Sequence, residues 1–376
     1  MPGIYIHIPF CKQACNYCNF HFSTSLNNKS DLVAALIKEI NLTAIDAPEA
    51  ERQIETLYFG GGTPSILTRD ELGIILQALK DHFRFNTNIE ITLEANPDDI
   101  TAIKLMEWQA IGINRLSVGI QSFINEELTW MNRTHNASNS MNCIDLIIDS
   151  GFSNFSVDLI YGSPLLGDSD WKKNVNLVIK KNIPHLSCYA LTVEPKTALE
   201  KMIKLKKREP VDPDKQARQF LRLIDWMTAA GYEHYEISNF AKPGNRSQHN
   251  SSYWSGKKYY GFGPSAHSFD GIKRRWNLSS NALYIKSLQM GKIPFEEEIL
   301  TPTQQLNEFI MTSLRTSDGL DLEYIRFNFG ENYADELLKG AGKFVASAKL
   351  IIVDSKLFLT KEGKLFADGI AARLFF

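Results

Sequence analysis

The chain has 376 residues, a formal net charge of -2 and 44% hydrophobic residues. This length exceeds what one small core needs, so we expect a large domain together with a smaller one. The near-neutral charge gives no general attraction to nucleic acid. No apolar stretch approaches the roughly 18 residues of a membrane-spanning helix, and no secretory signal pattern precedes the first cysteines. We therefore expect a cytoplasmic protein that has no transmembrane segment and binds no nucleic acid.

Three of the five cysteines lie close together near the start of the chain, as Cys11, Cys15 and Cys18 in a C-x3-C-x2-C spacing. The alternating apolar run before them predicts a strand that Pro9 ends, so the thiols are expected on the loop that follows strand one. A structural zinc site usually takes four protein ligands, and the chain has no second cysteine pair. A long chain with five cysteines is also a poor candidate for a disulfide framework. An iron–sulfur cluster remains, and three thiolates would leave one of its four irons open to a small ligand.

Strand-like and helix-like patterns then alternate along the chain. Strands are predicted at 56–59, 89–94, 115–119, 155–160 and 186–190, with helices that include 69–83, 101–110 and 169–180. This alternation predicts βαβ units and a parallel α/β sheet, either a partial (β/α)6 barrel or a doubly wound sheet. From residue 301, helical patterns are followed by a hairpin over 350–360, which predicts a small α+β winged-helix-like domain. The expected domains are 1–240, a linking segment 241–300, and 301–376.

Polar residues and glycines follow several of the predicted strands. In parallel α/β barrels the functional site lies at the carboxyl ends of the strands. Each of these residues also has an ordinary structural explanation, such as a turn, a cap, a surface position or a hydrogen bond to a neighbouring strand. Taken together they favour a ligand site; the set is Gly61, Gly62 and Thr63 after strand two, Glu94, Gln121 and Arg133, and Asp158 within strand five.

The cysteine loop, with Tyr17 just before the third cysteine, resembles that of the radical SAM superfamily. The opening run Tyr5-Ile-His-Ile-Pro-Phe-Cys11 is similar to the oxygen-independent coproporphyrinogen III dehydrogenase group within it. This resemblance implies a partial (β/α)6 barrel with a HemN-type C-terminal domain and a [4Fe-4S] cluster on the three cysteines, reduced by an electron donor. It also implies S-adenosylmethionine (SAM) contacts for Tyr5, Tyr17, Gly61, Gly62, Thr63, Glu94, Gln121, Arg133, Asp158 and Ala190.

Two features separate the branches of that group. Phe20 stands where the dehydrogenases carry a further cysteine. The dehydrogenases also tend to carry an extension before the cysteine loop, whereas the first strand here begins within the first five residues. Both differences favour the heme chaperone branch over the dehydrogenases. The segment His249-Asn250-Ser-Ser-Tyr253-Trp254 resembles the H-N-x-x-Y-W signature linked to heme in the heme chaperone (HemW) branch. Without the resemblance, a histidine that holds a loop beneath packed aromatic rings explains the segment better, because a lone histidine is weak support for a metal ligand.

The resemblance therefore implies a heme chaperone that binds heme and delivers it to acceptor proteins, including membrane-bound respiratory enzymes. The main alternative is the oxygen-independent dehydrogenase, which oxidatively decarboxylates coproporphyrinogen III by radical chemistry. A zinc-stabilised binding module is a third class. The basic run from Lys201 to Arg208 is interpreted as a solvated helix end, with an anionic partner or transient membrane contact as the other interpretation.

Overall fold

The computed structural model describes residues 2–376. Its main feature is a 12-stranded sheet, and a separate three-stranded sheet lies near the C-terminus. The strands in chain order are β1 Gly3–Ile8, β2 Gln53–Gly61, β3 Arg84–Ala95, β4 Arg115–Gln121, β5 Phe155–Tyr161, β6 His185–Ala190, β7 Glu233–Glu236, β8 Asn239–Ala241, β9 Tyr259–Phe262, β10 His267–Phe269, β11 Lys273–Asn277, β12 Phe295–Ile299, β13 Leu320–Asp321, β14 Leu350–Val353 and β15 Lys356–Leu359.

Helices connect the strands of the main sheet and form most of the C-terminal region. They are α1 Lys29–Asp46, α2 Arg69–His82, α3 Ala102–Ala110, α4 Asn125–Trp130, α5 Ala137–Asp149, α6 Asp168–Lys180, α7 Ala198–Lys204, α8 Pro213–Ala229, α9 Gln248–Trp254, α10 Asn281–Gln289, α11 Pro302–Leu314, α12 Leu322–Phe329, α13 Glu331–Ala346 and α14 Ala367–Ala372. The elements predicted from the sequence are all present, with boundaries that differ by a few residues.

The six strands β1 to β6 lie side by side in chain order, and each pairs with the next in parallel. Helices link successive strands, so the carboxyl ends of all six strands meet at one edge. The predicted α/β fold with a partial barrel is confirmed by this topology. The doubly wound alternative does not describe it, because the six strands follow the chain order without a reversal.

Residues alternate in direction along each strand of the barrel. In β3, Ile91 and Leu93 join the hydrophobic core beneath the helices, whereas Glu90, Thr92 and Glu94 point to the inside of the curved sheet. The same alternation gives β1 its apolar outer face and the ring of Tyr5 on the inner face. The lumen of the barrel is therefore polar, and it is the natural place for a ligand.

The segment 241–300, expected to link two domains, extends the main sheet. β9 pairs in parallel with β1, and β10, β11 and β12 continue that edge in antiparallel fashion. Short strands of this kind carry weak sequence signals, because several of their residues are half-exposed and polar. On the other edge, β8 and β7 follow β6 in antiparallel pairing.

The C-terminal module has its own hydrophobic core, formed by α11 to α14 and the sheet β13–β15–β14. The predicted hairpin is confirmed: Asp354 and Ser355 both adopt positive φ angles, as a two-residue turn of type I′ requires. The module contacts the barrel through Arg315, whose guanidinium lies 5.2 Å above the ring of Trp254. Across residues 2–376, none of the helices combines the length and the apolar character that crossing a bilayer needs.

Candidate functional site at the carboxyl ends of the barrel strands

A cavity of about 600 Å³ opens at the carboxyl ends of the barrel strands. The cysteine loop forms one wall, and residues at the ends of β2, β3, β4, β5 and β6 form the others. All three cysteines line it, as do nine of the ten residues expected to contact SAM: Tyr17, Gly61, Gly62, Thr63, Glu94, Gln121, Arg133, Asp158 and Ala190. Residues scattered over 180 positions of sequence are thus brought to one site.

The cysteine loop is held in place by backbone contacts on two sides. The Asn16 N–H donates to the Met131 carbonyl at 3.1 Å, and the Leu199 N–H donates to the Asn16 carbonyl at 2.8 Å. All three thiols are unpaired and partly exposed to the cavity. Burial raises the pKa of the Cys11 thiol to about 11, so this thiol stays neutral until a metal displaces its proton.

The arrangement of these thiols bears on the kind of metal group they suit. Within residues 2–376, no three His, Cys, Asp or Glu side chains converge on the position of a single metal ion. Thiolates of an iron–sulfur cubane each bind a different iron, so they stand farther apart than ligands of one zinc ion. Three cysteines on one loop match the number of thiolates that leaves one iron of a cubane without a protein ligand.

The glycine turn after β2 packs tightly against its surroundings. Gly61 has a φ of +112°, and a Cβ added to Gly62 would lie 2.6 Å from the carbonyl oxygen of Phe10, next to Cys11. The N–H groups of Gly61 and Gly62 already donate to Glu94 and to the Ile8 carbonyl, at 3.1 and 2.8 Å. Both N–H groups are therefore bonded within the protein, and the glycines are needed for close backbone approach.

Two carboxylates, Glu94 and Asp158, line the cavity from β3 and β5. Glu94 accepts hydrogen bonds from the Tyr58 hydroxyl at 2.8 Å and from the Gly61 N–H, and Asp158 lies 3.4 Å from the Ser117 hydroxyl. Neither forms an ion pair with a residue in the range 2–376. Desolvation by burial raises the pKa of Glu94 to about 7 and that of Asp158 to about 6. Such a pair attracts a cationic ligand.

Arg133 supplies the positive charge on the facing wall. Its guanidinium donates to the Cys15 sulfur at 3.3 Å, and to the Asn96 side chain and the Gly119 carbonyl at 2.8 Å each. Its buried Nε has no hydrogen-bond partner among residues 2–376, so one donor of the guanidinium is unused by the protein. Gln121 reaches the cavity from an irregular end of β4 with a φ of +66°, a bulge of the kind that re-aims a side chain at a site.

Tyr5 lies below the cavity and does not line it. Its ring stacks on that of Tyr58 with centroids 6.1 Å apart, and its hydroxyl is 3.2 Å from Nδ1 of His7. Tyr58, Asn96 and Ser117 are contacts of the site that the sequence reasoning missed. Asn96 stands two residues beyond Glu94, just after β3, so the strand-end rule that selected Glu94 would have selected Asn96 as well.

The four residues expected to bind heme lie elsewhere, on α9 beneath the barrel. His249 is buried, with Nδ1 2.8 Å from the Thr56 hydroxyl and Nε2 2.9 Å from the Tyr253 hydroxyl. Its ring also stacks on Tyr58 with centroids 5.0 Å apart. Trp254 and Asn250 are half-buried. In this conformation both ring nitrogens of His249 form hydrogen bonds within the protein.

The chain is similar in sequence and structure to proteins of known families. The model of the radical SAM superfamily matches residues 5–178, and that of the HemN C-terminal domain matches residues 300–366. The heme chaperone HemW of Escherichia coli is 36% identical over 379 residues, which cover 98% of this chain and 96% of that protein. The corresponding chaperones of Mycobacterium tuberculosis and Bacillus subtilis are 32% and 30% identical, again over 94% or more of both chains.

This chain belongs to the HemW family of the radical SAM superfamily. The likeness is full-length, so it includes the barrel, the α9 segment and the C-terminal module. Among solved structures, the coproporphyrinogen III oxidase (HemN) of Escherichia coli superposes with a TM-score of 0.87 at 24% identity, over 100% of this chain and 90% of that one. That superposition confirms the shared fold of barrel and C-terminal module. The family predicted from the C-x3-C-x2-C loop and the opening strand is confirmed.

Proposed function

We propose that this protein is a heme chaperone that carries a [4Fe-4S] cluster and SAM in the barrel cavity and binds heme through the α9 segment. The observation that carries the cofactor part is that three cysteines and nine of the ten residues expected to contact SAM line one cavity. The full-length likeness to curated HemW chaperones supports heme delivery. We expect a cytoplasmic location, where thiols stay reduced, with heme acceptors that include membrane-bound respiratory enzymes.

The cysteine loop supplies three thiolate ligands, from Cys11, Cys15 and Cys18. The Thr63 hydroxyl lies 3.5 Å from the Cys11 sulfur, and Arg133 donates to the Cys15 sulfur. Donors of this kind lower the energy of a thiolate and tune the charge of the group that it binds. When bound, the cluster would supply one electron to SAM, and the loop would hold it through three thiolates.

The cavity residues have complementary roles toward SAM, which carries a sulfonium, an ammonium and a carboxylate. Glu94 and Asp158 are the buried anions for the positive groups, and Arg133 with its free Nε is the cation for the carboxylate. The turn at Gly61 and Gly62 lets this ligand lie close to the loop. Ala190 and Tyr17 complete the wall of the cavity.

Heme binding requires a change at α9, because His249 is buried and doubly hydrogen-bonded. Withdrawing its ring from Thr56 and Tyr253 costs about 1 kcal/mol for each hydrogen bond, which coordination to heme iron would offset. Burial lowers the pKa of His249 to about 3, so the imidazole is neutral in its buried position before it moves toward heme. Trp254 and Tyr253 would then offer flat faces to the porphyrin.

Transfer of heme to an acceptor tests the function directly. Protein loaded with one equivalent of heme is mixed with excess apomyoglobin, and the Soret band of myoglobin is followed in time. We expect transfer that depends on the loaded protein and is faster from the His249→Ala variant, which holds heme less tightly. Retention of heme by the wild-type protein under these conditions would contradict a delivery role.

A further inference from the structure

The basic run noted in the sequence forms a surface beside the cavity mouth. Residues 196–208 contain six cationic side chains and one carboxylate, that of Glu200. We call the six cations the basic rim: Lys196, Lys201, Lys204, Lys206, Lys207 and Arg208. The chain as a whole has a net charge of -2, so this concentration of positive charge is local.

The basic rim is attached directly to the cysteine loop. The Leu199 N–H, in the first turn of α7, donates to the carbonyl of Asn16, which lies between Cys15 and Cys18. The Asn16 side chain in turn donates to the Trp130 carbonyl at 2.8 Å, and the Arg208 guanidinium lies 5.3 Å above the Trp130 ring. Both ends of the rim are thus anchored to the residues that hold the cluster ligands.

The apolar side of α7 is already used, and its cationic side faces solvent. Leu199 and Ile203 pack with Trp130 and Tyr17 in a small hydrophobic cluster. Five of the six rim cations are exposed. Among them, Lys204 pairs with Glu200, whereas Lys201, Lys206 and Lys207 make no ion pair with any residue in the range 2–376. Unpaired exposed cations create a positive potential that extends about one Debye length into solution.

Exposed apolar side chains flank this positive surface. Leu205, within the basic rim, is 56% exposed, and Phe20, two residues beyond Cys18, is 67% exposed. An apolar centre beside a charged border is the usual anatomy of a transient protein interface. Phe20 also lines the cavity, so its exposed ring lies at the mouth of the cavity on the cysteine side.

We propose that the basic rim and Phe20 form the docking surface for a small acidic protein that carries one electron to the cluster. The inference rests on the cluster assignment of the proposed function. In this step the carrier loses one electron and the cluster gains one; no bond forms or breaks and no proton moves. Electron transfer slows steeply with distance, so the carrier must dock beside the cysteine loop, where the basic rim lies.

An anionic membrane is the competing occupant of a basic surface, and two observations disfavour it. The apolar side chains of α7 point inward, so the helix offers no continuous apolar face for insertion. Contact with a membrane also needs no proximity to the cysteines, whereas the hydrogen bond between Leu199 and Asn16 gives the rim that proximity. The charge pattern therefore favours an acidic carrier.

Charge reversal on the rim tests the proposal on the reconstituted protein. The test variant combines Lys201→Glu, Lys206→Glu and Lys207→Glu; the matched control combines Lys80→Glu, Lys180→Glu and Lys339→Glu, which are exposed lysines on α2, α6 and α13. The rate of cluster reduction by photoreduced flavodoxin, an acidic carrier, is measured by stopped flow as cluster absorbance is lost. The methyl viologen radical cation serves as a second reductant.

We expect the rim variant to be reduced by flavodoxin at least tenfold more slowly at low salt, with the control variant within twofold of wild type. Raising the ionic strength should slow the wild type toward the variant, because steering is screened. Reduction by the viologen cation should be unchanged or faster in the rim variant, which shows that the cluster is intact.

Equal flavodoxin rates in wild type and rim variant, or an equal loss in the control, would overturn the docking surface. So would loss of binding to phosphatidylglycerol vesicles with unchanged flavodoxin rates, which would assign the rim to a membrane. Failure of the heme chaperone function has a different signature: the protein would bind no heme while the charge dependence of cluster reduction persisted.

Discussion

Replacing Glu94 with Gln should change the stability of the ligand-free protein and its affinity for SAM in opposite directions. Burial raises the pKa of Glu94 from 4.5 to about 7. Between these values the folded protein binds more protons than the unfolded chain, so its stability falls as the pH rises through this window. Each pKa unit corresponds to about 1.4 kcal/mol; with allowance for solvent in the cavity, the charged form costs about 2 to 3 kcal/mol. Gln is neutral at every pH and avoids this cost.

The Glu94→Gln variant should therefore match wild type near pH 4.5 and exceed it by about 2 to 3 kcal/mol near pH 8 in urea unfolding, without SAM. Its SAM affinity at pH 8 should fall by about 10- to 100-fold, because a charge-assisted hydrogen bond contributes about 1.5 to 3 kcal/mol. Wild-type affinity should rise from pH 6 to pH 8 as Glu94 ionises, and the variant should lose that contribution. Isothermal titration with SAM measures both.

Glu127→Gln is the matched control for this experiment. Glu127 is a buried carboxylate with a raised pKa, bonded to the Ser163 hydroxyl and outside the cavity lining. Its replacement should leave SAM affinity unchanged. The reasoning about Glu94 is refuted if Glu94→Gln destabilises the ligand-free protein at pH 8, or if SAM binds to it as tightly as to wild type.

Three further predictions concern the glycine turn, α9 and the facing arginine. In Gly62→Ala the added Cβ would clash with the backbone of Phe10, so we expect a distorted cysteine loop and an iron and sulfide content lowered several-fold. The control is Gly73→Ala, at a mid-helix position with open space around the added Cβ. It should raise the free energy of unfolding by about 0.5 to 1 kcal/mol and keep the full cluster content. Thr56→Val removes a hydrogen bond that holds the His249 ring in its buried position. If His249 binds iron, the heme affinity measured by Soret titration should rise about fivefold. Unchanged or weaker heme binding would make His249 a positioning residue. Arg133→Lys should lower SAM affinity at least tenfold in equilibrium dialysis, because one ammonium cannot replace the forked contacts of the guanidinium; full affinity would exclude Arg133 from carboxylate binding.

The site at the strand ends was predictable because parallel strands bring their carboxyl ends to one edge whatever the loops between them do. That rule alone gathers Glu94, Asp158 and the glycine turn with the cysteine loop. The rule did not select Tyr5, which lies early in β1 and was expected to contact SAM only from the family resemblance. The Glu94 carboxylate and the Ile8 carbonyl accept hydrogen bonds from the N–H groups of the glycine turn. These contacts join residues of different strands, so a local sequence pattern does not predict them.

The surroundings of His249 could not have been read from its own segment. Its partner Thr56 lies 193 residues earlier in the chain, and Tyr58 stacks on the ring from the same strand. The strands between residues 259 and 299 escaped detection because edge strands with polar, half-exposed faces lack a clear apolar alternation. Contacts between residues far apart in the chain determine both the surroundings of His249 and the pairing of these strands, and local sequence patterns do not encode such contacts.

Tyr58 contacts both proposed ligand sites and therefore couples them. Its hydroxyl donates to Glu94 at the floor of the cavity, and its ring stacks on His249. Withdrawal of His249 toward heme would remove one packing partner of Tyr58, and with it part of the support of Glu94. Heme loading should therefore weaken SAM binding, and SAM should weaken heme binding by the same factor.

We propose that this protein binds and carries heme, with the coproporphyrinogen dehydrogenase as the alternative function. The most direct measurement is an anaerobic heme titration of the cluster-reconstituted protein, read by its Soret band, beside an assay of coproporphyrinogen III conversion on the same sample with SAM and reductant. We expect saturable binding of one heme per chain and no decarboxylated product. Product formation without saturable heme binding would contradict it.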